Sequence, residues 1–351
     1  MEKPEGIQPT RRHFVKVAAA AAVAAQFGIT YSGQAKANRG NLSARASAAP
    51  RVHTSFGSLK QIKAGILNVG YVEAGPVDGR VVILLHGWPY DIHSYVDVAP
   101  LLAAKGYRVI VPYLRGHGTT RFLSSSTPRN AQQSVFALDL IALMDALKIE
   151  RAILAGYDWG SRTADIVAAL WPERCKALLS VTGYLITNPE ANKLPSPPKE
   201  EWAWWYQYYF ATERGELGLE KYRRDLARLV WKFNSPTWNF SEATFDRTAA
   251  AFNNPDYVSI VIDNYRWRLG LAKGDPGYNG IESRLAVGPV IAVPTITIDG
   301  EHDPFTPPGR GSIYRKKFSG KYEHRTLKVG HNVPQEAPQG FAQAVVDVDG
   351  F

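Results

Sequence analysis

Short apolar runs alternate with stretches of helical spacing along this chain, and that order admits little other than a mostly parallel sheet covered by helices. Strands are predicted over residues 80–85, 107–111, 151–154, 176–181, 294–298 and 324–329, and helices over 96–104, 131–147, 162–170 and 338–348. The expected fold class is therefore α/β, with a mostly parallel central sheet flanked by helices. The alternation breaks once. From 187 to 292 the strand pattern stops, and a proline-rich hinge at 188–198 leads into helical segments that hold six of the nine tryptophans. An insertion of this length is a subdomain or a functional element. We read it as an inserted helical lid, or cap, over an apolar pocket, dividing the sheet domain into 56–186 and 293–351.

With 351 residues, 45% of them hydrophobic, the chain can bury the core of one large domain with an insertion. Its net charge of +9 raises the question of nucleic acid. The basic residues are interleaved with acids, as over 213–228, which is the pattern of a solvated helix face, so no nucleic-acid partner is expected. Cys175 is the only cysteine, which excludes an intrachain disulfide and a thiol metal cluster within one chain. At the amino terminus Arg11 and Arg12 precede a short alanine-rich stretch at 17–25, followed by Ala35-Lys36-Ala37. This order predicts a twin-arginine-type signal peptide over 1–37, cleaved near Ala37, a linker over 38–55, and a periplasmic or secreted mature protein. The apolar stretch is too short for a stable membrane anchor.

The chemistry starts at Gly156-Tyr157-Asp158-Trp159-Gly160-Ser161, between a predicted strand and a predicted helix. Glycines so placed allow a turn tight enough to hold the middle side chain exposed above the sheet edge, and that side chain is Asp158. His86-Gly87-Trp88-Pro89 follows the strand at 80–85, where a backbone N–H can face an oxyanion; the N–H groups of Trp88 and Trp159 are the expected pair. Downstream, Asp299-Gly300-Glu301-His302-Asp303 follows the next-to-last strand and Gly330-His331 the last. Nucleophile, acid and histidine in that order are the arrangement of the α/β-hydrolase fold. Asp303 is the expected acid, with Asp299 as the alternative; His331 is the expected base, and His302 is read as a loop residue.

A carboxylate nucleophile can displace a leaving group from saturated carbon and form an alkyl ester. Water activated by His331, oriented by Asp303, would then attack the ester carbonyl. No cofactor or metal is called for.

Over nearly the whole mature chain the sequence resembles the epoxide hydrolases of the α/β-hydrolase superfamily, with HGWP as one of their usual motifs and G-Y-D-W-G as their elbow, Tyr157 standing in place of that family's usual histidine. In the lid, Tyr206-Gln207-Tyr208-Tyr209-Phe210 and Asn264-Tyr265-Arg266 resemble the segments that supply the two tyrosines polarising the epoxide oxygen. The resemblance implies those roles for Tyr206 and Tyr265 and a small hydrophobic epoxide and water as substrates; Tyr208 and Tyr209 are read as packing residues of an aromatic lid. Ser161 and Tyr113 depart from the family pattern. Haloalkane dehalogenases share the elbow and could use the Trp159 indole for a halide, although Trp88 stands where many of them carry Asn. A non-catalytic ligand-binding protein on the same scaffold is the third reading, and it leaves the tyrosine pair without a purpose.

Overall fold

The computed structural model describes residues 55–305 and 311–351, so the expected signal peptide and the linker up to residue 54 lie outside the described residues. Among the described residues nine strands form one sheet: β1 (Lys60–Ala64), β2 (Leu67–Ala74), β3 (Arg80–Leu85), β4 (Tyr107–Pro112), β5 (Arg121–Phe122), β6 (Ala152–Tyr157), β7 (Cys175–Val181), β8 (Thr295–Gly300) and β9 (Tyr322–Leu327). The spatial order is β1-β2-β4-β3-β6-β7-β8-β9, with β5 beside β2. β2 is antiparallel to both β1 and β4, and every pairing from β4 across to β9 is parallel.

Covering helices explain why the central strands read as unbroken apolar runs, because a strand buried on both faces has no solvent side to alternate with. β6 is buried at all six positions, and β3 at its last four. Three helices connect this half of the sheet: α1 (Val98–Ala103), α2 (Gln133–Ala146) and α3 (Trp159–Leu170). After β3 the chain goes to β4 on one side and returns to β6 on the other, with Leu85 in register with Gly156. In an open α/β sheet such a reversal leaves a crevice at the carboxyl ends of the two strands. His86 to Trp88 and Asp158 emerge there.

Between β7 and β8 the chain forms α4 (Pro198–Ala203), α5 (Trp205–Ala211), α6 (Glu213–Asn234, kinked at Tyr222), α7 (Glu242–Ala249), α8 (Tyr257–Arg268) and α9 (Asn279–Ala286). These are the helices expected of the lid. The closing part of the chain adds α10 (Gly311–Arg315), α11 (Val333–Glu336) and α12 (Pro338–Asp349). Among the described residues no helix is long and apolar enough to cross a membrane.

The sequence reading missed β1, β2 and β5. β1 is an edge strand with two lysines and four of five positions at least partly exposed, the composition that keeps an edge from pairing with other chains. In β2, Asn68 and Gly70 interrupt the apolar run, although most of the strand is buried. β6 runs three residues past its predicted end and α3 begins three residues before its predicted start, because the elbow between them occupies a single residue.

Candidate active site

Asp158 is that single residue. Its φ of 53° and ψ of −123° lie where an L-residue rarely goes, at a cost of about 1–3 kcal/mol that the surrounding packing must offset. Packing here is close: a Cβ at Gly160 would sit 1.9 Å from the Leu85 carbonyl oxygen, and one at Gly87 would sit 2.5 Å from Cβ of Asp158. Ser161, one of the departures from the family pattern, donates its hydroxyl to the carbonyls of Gly156 at 2.7 Å and Val181 at 2.9 Å, tying the turn to β7.

Asp303 follows β8 and His331 follows β9, so both reach the same edge as Asp158. His331 Nδ1 lies 2.7 Å from Asp303 Oδ2, with side-chain exposures of 3% and 1%. The other Asp303 oxygen accepts the Phe305 N–H at 3.0 Å, which fixes the carboxylate. Asp303 therefore makes the contact expected of the acid. Asp299, the alternative, lies inside β8 at 3.6 Å from His324. His302 is exposed in a turn, as expected of a loop residue.

With Nδ1 committed to Asp303, Nε2 of His331 faces Asp158 Oδ2 at 3.7 Å, close enough for an ion pair but beyond hydrogen-bond reach, and has no hydrogen-bond partner among the described residues. The second Asp158 oxygen, Oδ1, accepts the Trp88 backbone N–H at 2.7 Å. Trp159 opens α3, so its N–H belongs to the first-turn amides that have no carbonyl within the helix. Burial raises the pKa of Asp158, but His331, the Trp88 N–H and Arg162 outweigh it and hold the group below the ordinary carboxylate range. Burial likewise lowers that of His331, and the two aspartates overcome this and push it up to about 10. In the resting site the pair is a carboxylate and an imidazolium.

The lid brings Tyr206 on α5 and Tyr265 on α8 together, ring centroids 5.4 Å apart and nearly perpendicular, with 2% and 1% of their surfaces exposed. Both rings pack on Trp88, at 5.2 and 5.3 Å. Burial, reinforced by the charge of Asp158, raises both hydroxyls far above the ordinary tyrosine value, so both remain donors. Tyr209 packs against Trp205 and Phe210 as expected. Tyr208 does not pack: it is 45% exposed. The indole Nε1 of Trp159 is buried without a partner among the described residues.

The pocket is mixed rather than wholly apolar, with Tyr184, Leu185 and Ile186 on its apolar side. A cavity of about 220 Å³ has Asp158 and His331 in its wall together with Arg162, Arg268, Asn188 and Thr182, and with Trp204 and Phe305 as its aromatic side. Arg162 was overlooked in the sequence, although it stands in the first turn of the helix that follows the nucleophile.

A model of the α/β hydrolase fold matches residues 80–338. The chain belongs to the α/β hydrolase family. A solved structure from Klebsiella pneumoniae, described there as a candidate epoxide hydrolase, is 60% identical to this α/β hydrolase, with a TM-score of 0.83 over 86% of this chain and 100% of the other. Epoxide hydrolase A of Mycobacterium tuberculosis is 26% identical over 307 residues, which are 79% of this chain and 92% of that protein. Epoxide hydrolase 3 of Siraitia grosvenorii is 38% identical over 129 residues, and the match spans 36% of this chain and 38% of that relative.

Proposed function

We propose that this α/β hydrolase opens epoxides to vicinal diols through a covalent ester on Asp158. The observation that carries the reading is the pair of buried lid tyrosines, packed on each other and on Trp88, whose backbone N–H holds Asp158. An opening epoxide leaves an alkoxide, which needs a proton or strong hydrogen bonds. Asp158 Oδ2 attacks a ring carbon, the carbon–oxygen bond breaks, and Tyr206 and Tyr265 hold and protonate the departing oxygen. Oδ1 becomes the ester carbonyl oxygen, still facing the Trp88 N–H. Water then loses a proton to Nε2 of His331 and adds to the ester carbon, while the N–H groups of Trp88 and Trp159 stabilise the oxyanion. Donors of that kind contribute about 10²–10³ in rate each. Before water attacks, the resting proton of His331 passes through solvent to the tyrosinate, which frees Nε2; on collapse the expelled diol oxygen takes the proton of the attacking hydroxyl, leaving Asp158 ionised and His331 protonated again.

Alkylation removes the charge of Asp158, one of the two charges that keep His331 protonated, so the base is freed only after the ester has formed. This gives different pH behaviour to the two half-reactions. In stopped-flow tryptophan fluorescence, ester formation should stay level as pH falls from 8 to about 5, because the Asp158 carboxylate stays ionised below the ordinary value of about 3.9. Ester hydrolysis should rise with pH through an apparent pKa below the resting value of His331, about 10. Hydrolysis that is level while ester formation falls with acid would reverse the two assignments.

One observation favours a halide instead, the unpartnered indole N–H of Trp159. Incubation with styrene oxide and with 1-bromobutane separates the readings. Diol from styrene oxide without bromide release is expected. Bromide alone would make the protein a haloalkane dehalogenase, and neither product would fit a ligand-binding protein.

A further inference from the structure

Arg162 and Arg268 face the same cavity as Asp158 and His331. Arg162 is 7% exposed and donates Nε to the Leu185 carbonyl at 3.0 Å; Arg268 ends α8, with its Nε buried and without a hydrogen-bond partner among the described residues and its guanidinium over the Trp204 and Tyr265 rings at 5.6 and 5.7 Å. Neither forms a salt bridge with a carboxylate among the described residues. Asp165, on the same helix as Arg162, accepts the Leu185 N–H at 2.8 Å, and burial pushes its pKa up to about 7. Arg162 is pulled down to about 10, first by burial and then by the charge of Arg268. A buried guanidinium beside a second one is costly unless an anion joins them.

We infer that the substrate is an epoxide bearing a carboxylate, which Arg162 and Arg268 bind while Asp158 attacks the ring. This rests on the epoxide reading above and replaces the hydrophobic substrate expected from the sequence. Charge supports it. Neither guanidinium has a carboxylate in ion-pair contact among the described residues, so a ligand carboxylate would supply the anion that both lack. Placement and size agree. Asp158, Arg162 and Arg268 line one cavity, so acid and epoxide belong to one small molecule. The cavity of about 220 Å³ lies below the range of about 300–1,000 Å³ typical for drug-sized ligands. The guanidinium fork matches a carboxylate geometrically. The chemical steps are those given above, and the product is a dihydroxy acid.

The test compares glycidate with its neutral isostere glycidamide, together with binding of unreactive propionate and propionamide by calorimetry. The wild type should favour glycidate in kcat/KM by about 30-fold, the order expected of hydrogen bonds to a charged group, and should bind propionate but not propionamide. R268Q should bring the kcat/KM ratio close to one and abolish propionate binding, and R268K should recover part of both, which a packing role would not allow. Thermal melting of each variant controls for folding. If styrene oxide is hydrolysed but propionate does not bind and glycidate is not preferred, the inference falls and the epoxide reading stands. Arginine-dependent propionate binding without turnover of any epoxide would overturn the epoxide reading, and with it an epoxide substrate, while keeping the anion subsite.

Discussion

His331→Gln is expected to leave the enzyme able to take up one equivalent of epoxide and unable to release it. The nucleophile, the Trp88 N–H and the tyrosines are untouched by the substitution, so the ester still forms. What is lost is the group whose Nε2 faces Asp158. A general base contributes about 10²–10⁴, and turnover should fall by at least that factor. Intact-protein mass spectrometry after denaturation should show an adduct of the substrate's mass. The same experiment with Asp303→Asn tests the orienting acid: the loss should be partial, because the imidazole remains while its tautomer is no longer fixed by the 2.7 Å contact. A His331→Gln protein with neither adduct nor turnover, on an epoxide the wild type converts, would remove the base assignment or the covalent route.

The second large effect concerns the lid. Replacing Tyr206 or Tyr265 singly by Phe leaves one donor for the opening oxygen, and a moderate loss is expected. Replacing both removes every hydroxyl the account assigns to that oxygen, so ring opening should fall by about 10²–10⁴. The rings themselves pack on Trp88 and are kept by the change to Phe, so the fold should persist. Release of bromide from a haloalkane, if the wild type performs it, leaves no alkoxide and should survive the double change within about tenfold. Epoxide hydrolysis by the double variant at near wild-type rate would make the tyrosines packing residues.

Much of the architecture was legible because parallel strands buried on both faces have no polar positions to obscure them, as in β3 and β6. The strands that escaped are those at or near the antiparallel edge, where lysines in β1 and a glycine in β2 follow local needs of solubility and close packing. Asp158, Asp303 and His331 could be placed because each follows a strand that ends at one crevice, and topology then brings residues from positions 158, 303 and 331 into contact range. The polar side of the cavity was not legible in the same way. Arg162 lies one helical turn beyond the elbow, and its spacing was available, but a single arginine in a helix ordinarily faces solvent. Only the fold shows that it is buried, and that Arg268, more than a hundred residues later, shares its cavity.

The covalent ester on Asp158 is tested most directly by a single turnover in water labelled with oxygen-18, with enzyme in excess over epoxide. Oxygen reaches the diol from Asp158 Oδ2 in the first turnover, and water oxygen replaces it in the enzyme. The diol should therefore be unlabelled, and the proteolytic peptide containing Asp158 should gain one oxygen-18. Label in the first-turnover diol, with none in that peptide, would mean that water attacks the epoxide directly and that Asp158 is not the nucleophile.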